Sequence, residues 1–190
     1  VLTLVGDANV THEGGTTYTD AGATVADIAD VDVKVVVAGT VDITQLGDYT
    51  LAYDATDASG NKATQLSRKV TVVDTVAPVI TLKGAAETTV IQDGDFTDPG
   101  STSVDAVEGD LSSKVAVGGD NVDTTTLGEY VITYDVFDSQ GNKAVQVTRK
   151  VIVTNAPDTT LPDITLVGDA TISSEAGTAF TDPGFSATDQ

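Results

Sequence analysis

Aspartates recur in short polar segments of this 190-residue sequence, and their carboxylates are the groups best suited to do chemistry. The segments YDATDASGNKA (residues 53–63) and YDVFDSQGNKA (residues 134–144) each place an aspartate, Asp57 or Asp138, three residues before a Gly-Asn pair. Carboxylate and carbonyl oxygens are the ligands that Ca²⁺ prefers in proteins. Binding of a divalent cation is therefore the chemistry that these residue types support.

The overall charge agrees with that chemistry and excludes two classes of partner. There are 29 acidic residues and 9 basic ones, and the formal net charge is −20. Such a surface repels nucleic acid and anionic membranes, whose binding requires neutralisation of phosphate charge. It attracts divalent cations, although solubility in a salty or extracellular setting explains the charge equally well. No apolar run approaches the roughly 18 residues of a membrane span, so we expect no membrane insertion.

Catalysis is not expected. The sequence has no cysteine, which excludes disulfides and thiolate chemistry, and His12 is its single histidine, which excludes a repeated histidine-based triad or zinc site. Pairs of carboxylates are abundant and a glycosidase needs only two. Small tandem domains, however, lack the deep cleft that such an enzyme uses, so we predict a protein that is not an enzyme.

The sequence repeats itself. The two Gly-Asn-Lys triplets are 81 residues apart, as are LGDY at 46–49 and LGEY at 127–130, whereas YTDAGAT at 18–24 and FTDPGST at 96–102 are 78 residues apart. A third copy begins at Leu161 and is unfinished at the last residue. We expect either a segment of a longer repeat array or an assembly in which exposed strand edges pair with another chain. The predicted units are residues 1–75, 76–157 and 158–190.

Each unit has the pattern of a β-structure. Short runs rich in Val, Ile, Thr and Tyr alternate with Gly, Asp, Asn and Pro, which predicts a two-sheet sandwich. In the second unit, Tyr130, Ile132, Tyr134 and Val136 are predicted on one face of a strand, and a closing strand is predicted to place Val145, Val147 and Val151 inward. The Gly-Asn pairs between these strands are predicted to be turns, and LG(D/E)Y is similar to a tyrosine corner.

The combined motifs resemble those of a known family. PVITL, (Y/F)TD(A/P)G, LG(D/E)Y, GNKA and RKVTVVDT are similar to the bacterial surface immunoglobulin-like repeats. The resemblance implies tandem Ig-like β-sandwiches, two complete and one partial, located outside the cell and serving as a stalk or adhesive array. Such repeats also accompany secreted polysaccharide-degrading enzymes. Where the family often has a DNxDGD loop, this sequence has DIADVD and DAVEGD, which leaves the role of that loop open.

The Ig-like topology predicts where the acids meet. The incoming chain and two of the loops lie at one end of such a domain, so the linker acid should approach the loops of the second unit, as at the calcium-bound junctions of cadherins. The predicted ligands of a Ca²⁺ ion at this junction are Asp74, Asp98, Asp105, Glu108, Asp110 and Asp138. The first unit repeats the set as Asp20, Asp27, Asp30, Asp32 and Asp57. The alternative is a solvated polar rim.

The linkers differ in length, which predicts two different junctions. Lys69 precedes Pro78 by 9 residues, whereas Lys150 precedes Pro162 by 12. We expect the two junctions to set different angles between units. The predicted function is that of a non-catalytic extender or filament module whose partners are neighbouring repeats and other copies in a fibre. The alternative is a module that binds glycans or anchors a secreted enzyme.

Overall fold

The computed structural model describes residues 1–189, and its regular secondary structure is almost entirely β-strand. Its one helical element among these residues is a short 3₁₀ helix at Ser112–Lys114. The sequence-based prediction of an all-β, Ig-like fold is confirmed. No helix in the described part of the chain is long and apolar enough to span a membrane.

The first unit contains two sheets. Four strands form the larger sheet in the order β2-β6-β5-β4, and two strands, β1 and β3, form the smaller one. In the larger sheet β2 runs parallel to β6, and the remaining neighbours are antiparallel. The strands are β1 (Leu2–Leu4), β2 (Asn9–Glu13), β3 (Ala23–Val25), β4 (Val35–Ala38), β5 (Gly47–Ala55) and β6 (Leu66–Val73).

The second unit repeats this arrangement, with one additional strand in the smaller sheet. Its larger sheet has the order β11-β12-β13-β8, again with one parallel pair, β8 with β13. Its smaller sheet has the order β10-β9-β7. The strands are β7 (Val79–Leu82), β8 (Glu87–Ile91), β9 (Ser101–Asp105), β10 (Gly109–Asp110), β11 (Ala116–Gly119), β12 (Gly128–Asp135) and β13 (Val147–Thr154).

The period-2 pattern of the strands forms the core of each unit. Leu51, Tyr53 and Val70 are the buried residues of the first core. The second core is larger and joins both sheets, since Ile80 of the smaller sheet packs with Ile132 and other residues of the larger one. Burial of these side chains supplies the main driving force for folding of each unit.

One predicted core position is wrong, and the closing strand begins later than predicted. Ile132, Tyr134 and Val136 are buried as predicted, and so is Val151. Val145, however, is exposed because it lies in the loop before β13, which begins at Val147. The backbone and side-chain amides of Asn142 donate hydrogen bonds to Asp138. These bonds extend the loop, so the strand begins later.

The tyrosine corners form as their motif predicts. The Tyr49 hydroxyl donates a hydrogen bond to the Gln45 carbonyl at 2.8 Å, and the Tyr130 hydroxyl donates to the Thr126 carbonyl at 3.0 Å. Each bond ties the start of a long strand to the loop before it.

The third segment is a single pair of antiparallel strands, β14 (Asp163–Leu166) and β15 (Phe185–Thr188). Its apolar side chains are exposed, including Ile164, Phe180 and Phe185. Two strands cannot enclose a core, so this segment lacks the buried interior of the first two units.

Candidate metal centre at the first junction

Three carboxylates from different parts of the chain converge where the first unit meets the second. Asp74 follows the last strand of the first unit, Asp105 ends β9, and Asp138 lies in the loop after β12. One oxygen of each lies within 4.8 Å of the others. Their exposed fractions are only 8%, 4% and 6%, so three acidic side chains are buried together.

Backbone amides fix the direction of two of these carboxylates within their own loops. Oδ1 of Asp105 accepts hydrogen bonds from the backbone N–H groups of Val107 and Glu108, at 2.8 and 3.0 Å. Oδ1 of Asp138 accepts from the backbone N–H groups of Gln140 and Asn142, at 2.9 and 2.8 Å. Asp and Asn side chains commonly accept hydrogen bonds from nearby backbone amides in loops. Here those bonds hold Oδ1 in the loop and leave Oδ2 of each aspartate facing the cluster.

The second oxygens are the chemically important ones. Oδ2 of Asp74 and Oδ2 of Asp105 are buried and accept no hydrogen bond within the described structure. Oδ2 of Asp138 accepts one from the side-chain amide of Asn142, at 2.7 Å. None of the ion pairs among residues 1–189 involves the three aspartates. A buried carboxylate oxygen without a partner is costly, which makes this cluster a fit for an external cation.

The electrostatics of Asp74 reflect this crowding. Burial raises the pKa of Asp74, and the nearby carboxylates of Asp105, Asp138 and Glu13 raise it further. A hydrogen bond from the Val76 amide opposes the increase without cancelling it. Negative charges of like sign disfavour one another's ionised forms, so a proton or a cation is required to relieve the cluster.

The two units also touch directly beside the cluster. A turn at Gly14 and Gly15 follows β2 and lies against the β9–β10 loop of the second unit. A Cβ atom on Gly14 would lie 2.8 Å from Cγ2 of Val107, and one on Gly15 would lie 2.7 Å from the carbonyl oxygen of Ala106. Only glycine allows so close an approach at these two positions.

Hydrogen bonds hold the linker in the same place. Glu13 accepts from the backbone N–H and the hydroxyl of Thr75, at 2.8 and 2.7 Å. The side-chain amide of Asn142 donates to the carbonyl oxygen of Asp74 at 3.2 Å. The linker is thus bound to the first unit on one side and to the second unit on the other.

The structure places Asp98, a residue of the predicted ligand set, in a different network. Its Oδ1 lies 2.9 Å from Nε of Arg149 and accepts a hydrogen bond from the Tyr134 hydroxyl at 2.7 Å. Arg149 is buried and also donates to the carbonyl oxygens of Lys83 and Gly100, at 2.6 and 3.1 Å. Asp98 therefore orients an arginine that fastens the loops of the smaller sheet.

The other two predicted ligands are also engaged outside the cluster. Oε1 of Glu108 accepts from the backbone N–H of Ser139 at 2.6 Å, while Oε2 lies 3.1 Å from Nζ of Lys114. The hydrogen bonds from Ser139, helped by Lys114, lower the pKa of Glu108 to about 2. Asp110 accepts from the backbone N–H of Ser112 at 2.8 Å. Glu108 thus joins the two loops that carry Asp105 and Asp138.

Sequence reasoning missed the buried arginines, which occur in both units. In the first unit Arg68 pairs with Asp20, and the hydroxyl of Tyr53 donates to Asp20 at 2.7 Å. Burial and the adjacent Asp20 carboxylate raise the pKa of Tyr53 to about 12. The available signal was an arginine at an inward position of each closing strand, where the pattern otherwise places valine.

The comparisons with known proteins agree with this architecture. The sequence profile of the bacterial surface protein Ig-like domain matches residues 2–72 and 80–153. The chain therefore belongs to this family of bacterial surface domains.

Individual relatives are more distant. The chain is 29% identical over 124 residues to an 81.3 kDa protein of Acholeplasma phage L2, covering 62% of this chain and 16% of that protein. It is also 29% identical over 130 residues to the pesticidal crystal protein Cry22Aa of Bacillus thuringiensis, covering 65% of this chain and 17% of that protein. The chain thus spans less than a fifth of the curated relatives that it matches.

One similar solved structure is that of the M60 catalytic domain with the CBM51-1 and CBM51-2 domains of Clostridium perfringens ZmpB. The match covers 90% of this chain and 33% of that one. The TM-score is 0.47 and the identity 13%. A likeness at this level carries no argument about the function of this chain.

Proposed function

We propose that this chain is a non-catalytic extender of a bacterial extracellular surface protein, in which Ca²⁺ stiffens the junction between the first and second units. The observation that carries the proposal is the buried cluster of Asp74, Asp105 and Asp138, with two carboxylate oxygens that have no partner. The linker and two separate loops each contribute one acid. A cation bound to all three holds the units together in a way that no single unit can reproduce.

The chemistry of the cluster favours Ca²⁺ over other metals. Its donors are oxygens alone, with no histidine or cysteine among them. Calcium accepts carboxylate and carbonyl oxygens in flexible geometries and completes its six to eight ligands with water. The Asp74 carbonyl is held by Asn142 at the same place. The direct contact through Gly14 and Gly15 limits rotation, so the ion adds stiffness to an existing interface.

Calcium titration of the whole chain, followed by calorimetry and by small-angle scattering, tests the proposal. We expect saturable binding and a narrower distribution of particle lengths when Ca²⁺ is bound. Asp105→Asn keeps an oxygen acceptor for the Val107 and Glu108 amides but removes a negative ligand, so it should abolish binding. Asp95→Asn changes an exposed acid outside the cluster and is the matched control. Absence of binding at millimolar Ca²⁺ contradicts the calcium part of the proposal.

Glycan binding is the competing function, and an exposed aromatic ring is the feature that would support it. Phe137 is exposed, but Nζ of Lys143 lies 5.7 Å from its ring centroid and covers part of the ring. A glycan array probed with the whole chain distinguishes the two functions. An extender should bind no glycan specifically, whereas binding that Phe137→Ala abolishes supports the accessory module.

A further inference from the structure

The end of the first unit that carries the loops after β3 and β5 has the same loop architecture as the docked end of the second unit. We call it the loop end and define it as residues 27–33 and 56–62. Oδ1 of Asp27 accepts hydrogen bonds from the backbone N–H groups of Ala29 and Asp30, at 2.9 and 3.0 Å. This is the arrangement of Asp105 in the second unit, 78 residues later.

The link between the two loops is repeated as well. Oδ2 of Asp30 accepts from the backbone N–H of Ala58 at 2.9 Å, in the position where Glu108 bridges to the other loop of the second unit. Asp57 accepts from both the backbone and the side-chain amide of Asn61, each at 2.7 Å, as Asp138 does from its own asparagine. The first unit thus holds two of the three carboxylate positions of the junction cluster.

The loop end differs from its counterpart in what covers it. Ile28 and Val31 have exposed fractions of 105% and 90%, which place two branched apolar side chains in water at one tip. The same end of the unit has a pocket of about 170 Å³ whose lining includes Asp27, Asp57, Asn61 and Lys62. In the second unit the corresponding surface lies against the linker and glycine turn of the first.

We propose that the loop end of the first unit is a docking surface for the linker end of another repeat of the same kind. The partner is a unit that ends as the first unit does, with a Gly-Gly turn and a linker aspartate. Docking covers Ile28 and brings the linker aspartate of the partner to Asp27 and Asp57, as the first junction brings Asp74 to Asp105 and Asp138. This inference rests on the proposed function, because it treats the first junction as the pattern for others.

The chemistry of the turn determines which repeat fits. Ile28 occupies the place of Ala106, the residue that meets Gly15 at the first junction. A glycine turn presents only backbone, so the larger isoleucine can lie across it. The second unit has the same turn, but with Gln92 and Asp93 in place of the glycines, and the turn makes the equivalent backbone hydrogen bonds. Those side chains obstruct the approach and add a negative charge, so that turn is a poor partner.

An extended chain tests the docking. Residues 1–78 are placed ahead of the intact chain, so that Pro78 precedes Val1 as it naturally precedes Val79. Hydrogen exchange is measured in Ca²⁺ by NMR for the intact and the extended chains, with only the original copy isotope-labelled, so that the amides of its residues 27–33 are observed without those of the added copy. We expect exchange to slow by about tenfold or more in the extended chain, because docking must open before those amides exchange. The matched control carries Gly14→Gln and Gly15→Asp in the added copy alone and should lose this protection.

A second variant separates docking from folding. Ile28→Ser in the original copy should reduce the protection in the extended chain, and the same change should leave the thermal unfolding of the intact chain unchanged, since Ile28 is exposed there. Equal exchange at residues 27–33 in the intact and extended chains overturns the inference, whether or not the intact chain binds Ca²⁺. Loss of Ca²⁺ binding in Asp105→Asn of the intact chain decides the proposed function separately, so the two can fail independently.

Discussion

The second unit has inward-facing aspartates in two places, Asp98 partly buried and the pair Asp105 and Asp138 fully buried, and their charge is balanced in two different ways. Asp98 lies against Arg149 and the Tyr134 hydroxyl, so a side chain of the same unit supplies the positive charge. Asp105 and Asp138 lie against Asp74 from the linker, and none of the ion pairs of residues 1–189 reaches them. The first set is neutral without help, whereas the second needs a proton or an external cation.

The set around Arg149 stabilises the fold of one unit, whereas the three junction aspartates connect one unit to the next. The arginine set is complete inside each unit, since Asp20, Tyr53 and Arg68 repeat it in the first. The junction set is complete only where two units meet. Because the charge of the junction set is not balanced within one unit, we expect the junction to respond to cations and the interior of each unit not to respond.

Replacing the buried arginine should have the largest effect. Arg149→Met leaves Asp98 without its counter-charge and several loop carbonyls without a donor, which costs about 3–5 kcal/mol of unfolding free energy for the second unit. Chemical denaturation should show this loss equally in calcium and in chelator. Lys150→Met, one residue later, removes an exposed ion pair with Glu129 and should change stability little. Similar losses in the two variants contradict the proposed division.

Removing a junction carboxylate should have the next largest effect, and only with calcium present. A ligand at a hundred times its dissociation constant stabilises the folded state by about 2.7 kcal/mol, and Asp105→Asn should lose that gain. Asp98→Asn should instead destabilise the second unit with and without calcium, because its partner is Arg149. Thermal unfolding of both variants, in calcium and in chelator, distinguishes the two sets. Calcium-dependent loss in Asp98→Asn contradicts the assignment.

The glycine turn at the junction offers a smaller and more local effect. Gly15 has a φ of +68°, and its Cβ would meet the Ala106 carbonyl. Gly15→Ala should cost about 1–2 kcal/mol from its left-handed backbone and, in addition, separate the two units. Gly22→Ala is the matched control, because Gly22 has a φ of +77° but open space around it. Both variants should lose stability, and only Gly15→Ala should broaden the length distribution in small-angle scattering.

The repeat and the β-pattern were enough to predict the fold, and the Ig-like topology was enough to bring the linker acid to the two loops. Asp74, Asp105 and Asp138 were predicted to lie near one another, and they do. The sequence could not show that Asp98 turns inward, because that depends on an arginine 51 residues later in the chain. An inward arginine violates the apolar pattern of its strand, and this violation was the one available sign.

The contact through the glycine turn could not be predicted for a different reason. A glycine pair in a turn is usually explained by its backbone conformation alone. The sequence does not show which neighbouring residue packs against a glycine that has no side chain. The same limit applies to Val145, whose position depends on where the loop ends. Loop geometry follows from hydrogen bonds such as those of Asp138, which leave no periodic pattern in the sequence.

The smallest predicted effect concerns Asp74, and its sign reverses with calcium. Its pKa is raised, so the folded state binds the proton more tightly than the unfolded chain does. In chelator, the unfolding free energy should therefore increase as the pH falls from neutrality towards the pKa of Asp74. Asp74→Asn removes the charge but keeps an oxygen for the Val76 amide. It should be slightly more stable than the natural chain at neutral pH in chelator, and less stable in calcium.

Thermal unfolding above pH 4.5 checks this reversal, because Glu108, whose pKa is lowered from 4.5 to about 2, loses stabilising charge only below that pH. The natural chain should show a pH-dependent midpoint in chelator that Asp74→Asn lacks. In calcium the dependence should reverse, since protons compete with the ion for the same oxygens. A solvated rim predicts no such reversal, because exposed carboxylates bind neither protons nor calcium preferentially in the folded state. The same slope in calcium and in chelator therefore contradicts the metal centre even if the cluster is buried.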